Sequence, residues 1–114
     1  MFDPTGAVRI ELTSADIVPS SVQVNATPGA VTAQFTTAGG RKFCALTRAL
    51  ARRGARLHRV QHFAVAVGGH VVSRPFIDFR AFPKGFCAGP PDFEIDVGSR
   101  TDAERLAHAM KSSD

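Results

Sequence analysis

Residues 63–78, FAVAVGGHVVSRPFID, constrain the fold more than any other stretch of this chain. Phe63–Val67 is an apolar run suited to a buried strand, and Val71–Ser73 reads as a second strand. Gly68-Gly69 between them suits the primed two-residue turns whose twist matches that of paired strands. So short a link makes the two strands antiparallel neighbours. Pro75 cannot donate to a ladder, so it ends the second strand or lies at an edge. Phe76–Phe79 beyond it is short, extended and apolar.

Strand signals also flank this hairpin. Val8–Leu12 alternates apolar and polar residues, as a half-buried strand does. Val22–Val24 and Val31–Phe35 are two further short strands, with Pro28-Gly29 as the hairpin turn between them. Phe93–Val97 alternates again, after a Pro/Gly-rich loop over Ala81–Asp92. Two helices complete the pattern. Thr37 is placed to N-cap the first, in which Phe43, Leu46, Thr47 and Leu50 recur on one face; Gly54 fits its C′ position, and Gly39 and Gly40 weaken its first turn. Thr101 and Glu104 have capping-box spacing for the second, whose apolar face is Ala103, Leu106, Ala107 and Met110. The expectation is an α+β fold: a largely antiparallel sheet of about five to six strands with two helices packed on one face.

The 114 residues read as one domain, 1–114, with an ordered core over about 8–110 and neither repeat nor linker. No run approaches the roughly 20 apolar residues that span a bilayer. The opening MFDPTGAVRIEL has neither a basic start nor an apolar h-region, so no signal peptide is expected. That leaves a cytoplasmic protein, or the mature or excised piece of an exported one. Cys44 and Cys87 match no metal-ligand or CxxC spacing; they are either a disulfide, if the compartment is oxidising, or two separate thiols.

Little here points to chemistry. His58 and His62 are four apart, but Gly54 interrupts the helix that would bring them to one side, and His70 and His108 lie at a turn and on a helix. No metal, cofactor or catalytic group is expected. The Gly-Gly pairs lack phosphate-loop spacing. Two features remain. Residues 41–59 hold Arg41, Lys42, Arg48, Arg52, Arg53, Arg56 and Arg59 with no acid, against a net charge of +4 for the whole chain. This is a solvated helix face, or a patch for an anionic lipid, an acidic protein or a nucleic acid; no exposed aromatics are interleaved with it for base stacking. The other feature is a Phe cluster, Phe76, Phe79, Phe82, Phe86 and Phe93, in which Phe82 and Phe86 flank Pro83-Lys84-Gly85 in a loop. They either fold down as core or stay exposed as a sticky patch, and edge strands could add a partner strand beside them.

In order along the chain, these segments resemble the head of the large periplasmic domain of SecD, accessory subunit of the bacterial protein-export channel. Leu12-Thr13-Ser14-Ala15-Asp16 is similar to that family's Leu-Thr-Gly-Ala-Asp opening. Phe35 followed by Gly40-Arg41-Lys42-Phe43 and Leu46-Thr47 is similar to its strand-to-helix segment. Phe63-Ala64-Val65, Gly69, Val71, Ser73 and Pro75 match its hairpin. Pro83-Lys84-Gly85 resembles the Pro-Asp-Gly loop of stand-alone actinobacterial relatives, and Ile95, Gly98, Ala103, Leu106 and Ala107 resemble its last strand and closing helix. The chain departs from that pattern at Ser99-Arg100, where a Gly and a Phe-Thr pair are usual, and at Phe86–Pro91, a Cys-containing version of the loop.

The family's membrane helices have no counterpart here, so proton-driven pulling is not expected of this chain alone. The resemblance implies a non-enzymatic protein-binding or docking module, extracytoplasmic or membrane-associated, whose partner is an unfolded exported chain or an export component. The alternative is a small basic protein that binds nucleic acid or an anionic surface through its Arg-rich helix. The expected contacts are Phe79, Phe82, Lys84 and Phe86, then Arg48, Arg52, Arg53 and Arg56.

Overall fold

The computed structural model describes residues 1–25, 29–87 and 92–111. Its strands are short, and they pair as three separate antiparallel sheets. β1 (Gln23–Asn25), β2 (Ala30–Gln34) and β7 (Asp92–Asp96) make the largest, with β2 in the middle. β3 (Gln61–His62) pairs with β6 (Phe76–Ile77), and β4 (Val65–Val67) with β5 (His70–Ser73). The fold is α+β, but the expected single sheet is divided. Each strand pairs only within its own group: β2 joins β1 and β7, while β3–β6 and β4–β5 pair within residues 61–77.

The helices divide the work too. α1 (Thr37–Leu57) packs against β3 and β6, whereas α2 (Arg100–Lys111) lies on β1 and β2, so the two do not cover one common face. Leu46 and Leu50 of α1, Val31 of β2 and Ile77 of β6 are fully enclosed. Ala103, Leu106, Ala107 and Met110 of α2 are buried, as its periodicity requires.

The hairpin turn at Gly68-Gly69 forms with φ of 57° and 81°, the left-handed pair that a primed turn needs. β5 stops at Ser73, two residues before Pro75. The β1–β2 hairpin also forms, with Asn25 opposite Ala30; Pro28 of its proposed turn lies outside the described residues.

Four local expectations need correction. Val8–Leu12 keeps its alternating burial but joins no strand; Met1 and Leu12 exchange backbone bonds of 3.1 and 2.9 Å, and the loop between them closes around Asp3. Thr36, not Thr37, caps α1, its Oγ1 accepting from Gly39 N–H at 3.0 Å. α1 also runs through Gly54 to Leu57, with His58 as the left-handed cap at φ 52°. Gly54 is needed for close approach instead: a Cβ there would lie 2.9 Å from Arg59 O and 3.0 Å from the Phe79 ring. At α2, Ser99 replaces the expected Thr101–Glu104 box, its Oγ accepting from Asp102 N–H at 3.1 Å. Thr101 lies within the helix, and Glu104 instead accepts from Arg100 at 2.9 Å.

An aromatic groove and a basic helix face

α1 has two unlike sides. Phe43, Leu46, Thr47 and Leu50 turn inward, while Arg41, Arg48, Arg52 and Arg56 recur at intervals of seven, four and four residues and share the outer side. The loop after β6 lies along the border between these two sides, and five ties hold it. Asp78 O accepts from Phe82 N–H at 2.8 Å, and Phe82 O from Gly85 N–H at 3.0 Å. Thr47 Oγ1 accepts from Phe86 N–H at 2.9 Å while donating to Phe43 O at 2.8 Å. Arg48 Nε donates to Lys84 O at 3.4 Å, and Cys87 is bonded to Cys44 across 43 residues of sequence. The disulfide alternative is therefore the one this structure adopts. Gly85 sits with φ 73° so close over the Arg48 backbone and Thr47 Oγ1 that no side chain fits.

These ties carry an aromatic series from the sheet to the surface. Phe93 stacks on Phe35 at 4.2 Å, Phe35 meets Phe43 at 4.8 Å, Phe43 stacks with Phe86 at 6.0 Å, and Phe86 meets Phe82 at 4.5 Å. Phe82 is 45% exposed and Phe86 37%. The inner members line an open groove of about 880 Å³, together with Phe63, Phe76, Arg41 and the disulfide. Phe76, 62% exposed, lines the same groove as Asp92–Ile95 of β7.

Among the described residues, the β7 side of the groove is a strand edge. Val97 N–H bonds Gly29 O, so ladder alternation turns the backbone groups of Ile95 and Phe93 toward β2 and those of Asp96, Glu94 and Asp92 away from it. Ser73 Oγ closes this outer edge at one point, donating to Asp96 O at 3.2 Å. Along Asp92–Glu94 the edge faces the groove.

The expected contact residues separate into two groups. Phe82, Lys84, Phe86, Arg48, Arg52 and Arg56 come together around the loop and the outer side of α1. Phe79 and Arg53 do not join them. Phe79 is half-buried, with its ring against Gly54 and the Arg80 guanidinium over it at 5.4 Å. Arg53 is held by the buried Asp3 through Nη1 at 2.8 Å and Nη2 at 3.0 Å, with Nε donating to Gln61 Oε1 at 2.8 Å. That guanidinium holds the Asp3 carboxyl well below the usual carboxylate range, helped by the N–H groups of Val8 and Thr5. Arg80 likewise lowers Asp78, mainly through its backbone N–H.

Sequence reasoning placed Phe76 and Phe93 in the Phe cluster but missed Phe35, Phe43 and Phe63 as groove residues. Phe43 shows its strongest signal, helical periodicity, for the core, and only strand pairing reveals that the ring also faces a cleft. His58 and His62 fall in different elements, and among the described residues no three His, Cys, Asp or Glu side chains gather at one point. No family model matches the chain, and no curated protein or solved structure matches it.

Proposed function

We propose that the protein is a non-enzymatic docking module that takes an extended, apolar segment of a partner protein into the aromatic groove. One observation carries this reading: the outer edge of β7 faces a groove lined with Phe side chains. A peptide laid there gains main-chain bonds from Glu94 and alternate side-chain sites among the rings, the usual economy of strand addition. The resemblance to the SecD head supports a partner that is an exported chain or an export component. The Cys44–Cys87 bond supports an oxidising, extracytoplasmic setting.

The test is to titrate the isotope-labelled protein with extended apolar peptides and follow amide shifts. Shifts concentrated at Phe93–Ile95 and Phe76 are expected. Phe76→Ser, at an exposed position, should weaken binding at least about tenfold, the order expected for losing a largely buried aromatic contact. Shifts confined to other surfaces would overturn the reading.

A further inference from the structure

We propose that the outer side of α1 and the Phe82–Phe86 loop together seat the protein on an anionic lipid bilayer. Arg41, Arg48, Arg52 and Arg56 extend over about 22 Å of helix axis, and none has an ion-pair partner among the described residues. The ion pairs that α1 makes among the described residues, Lys42–Asp16 and Arg53–Asp3, use none of these four arginines. Lys84 adds a fifth cation from the loop, whose backbone is joined to Arg48. Beside this stripe stand Phe82 and Phe86, which the Thr47 bond and the disulfide fix in place at the surface. Fixed apolar wedges beside clustered cations are what an anionic interface rewards: phosphate headgroups meet the arginines, and the rings enter the acyl boundary.

Nucleic acid shares the phosphate chemistry, but the rings favour the bilayer. Base stacking needs an open ring face. Phe86 is stacked with Phe43 and in contact with Phe82, so the aromatic pair is already packed together. This surface borders the groove and shares Arg41 and Phe86 with it, but Phe82, Lys84, Arg48, Arg52 and Arg56 lie outside the groove lining.

The experiment is co-sedimentation with vesicles of phosphatidylcholine carrying about one-third phosphatidylglycerol, beside pure phosphatidylcholine, at low and high salt. Binding only to the anionic vesicles, weakened by salt, is expected, with each cation contributing roughly fivefold. Arg52→Glu/Arg56→Glu should lower it at least about 25-fold, and Phe82→Ser on the order of tenfold. Thermal melts check that both variants fold. Phe76→Ser should leave vesicle binding unchanged, so failure of the groove reading and failure of this one are told apart. Equal binding to neutral vesicles would overturn the proposal. So would binding of a single-stranded oligonucleotide that Arg52→Glu/Arg56→Glu abolishes while Phe82→Ser alters neither oligonucleotide nor vesicle binding.

Discussion

The Asp3–Arg53 pair joins residues fifty positions apart, and both its partners are largely removed from solvent. Breaking such a pair leaves a buried carboxylate without its counter-charge, held only by its bonds from Thr5 and Val8, so Arg53→Ala should cost about 3 kcal/mol in urea unfolding at neutral pH. Its pH dependence has a definite sign. The folded carboxyl is held below its unfolded value, so the pair's contribution is complete above the ordinary carboxylate range and is lost progressively as pH falls from about 4. The gap between wild type and variant should therefore narrow in acid. In the sequence Arg53 looked like one more member of a basic run, because nothing local shows which cation meets an acid fifty residues away. Thr47 was legible as an inward-facing position, but its bond to Phe86 N–H was not. Thr47→Val leaves that N–H without its partner and should cost about 1–3 kcal/mol, read from denaturant midpoints.

At the level of elements, periodicity located both helices and most strands, while their ends depended on packing. Gly54 carried a helix-stop signal, yet α1 continues because Arg59 and Phe79 press against that turn and only a residue without a side chain fits. Ser99 caps α2 two residues ahead of the sequence-marked Thr101. The loop over Ala81–Asp92 was legible in the sequence, but the attachment of residues 81–87 to α1 was not, since the two cysteines left both bonded and free states open. That attachment has a magnitude. By chain entropy, a closure over 43 residues is worth about 4 kcal/mol, so Cys44→Ala/Cys87→Ala should lower the melting temperature by on the order of 10–20 °C. A shift of only a degree or two would show that the hydrogen bonds to Thr47 and Arg48 hold the loop unaided.

For the molecule as a whole, the sequence supported the α+β class but could not fix which strands pair. Pairing is a long-range choice: β7 finds β2 about sixty residues back, whereas β4 and β5 pair only with each other. The outcome is an uneven distribution of cohesion. Val31 and Ala33 of the central strand are buried, but His70 and Val71 on the hairpin are exposed. Amide exchange should accordingly be faster in β4–β5 than in β2, by a factor on the order of 10². Uniform protection would mean that the three sheets open as one unit. The Cys44–Cys87 bond has one more consequence at this scale. It makes residues 44–87 a closed covalent ring that threads most of α1, both small sheets and the loop, with the exposed Gly68-Gly69 tip on its circumference. A protease that cuts once at that tip opens the ring without releasing either half, so the nicked chain stays a single molecule until a thiol reductant parts it in two.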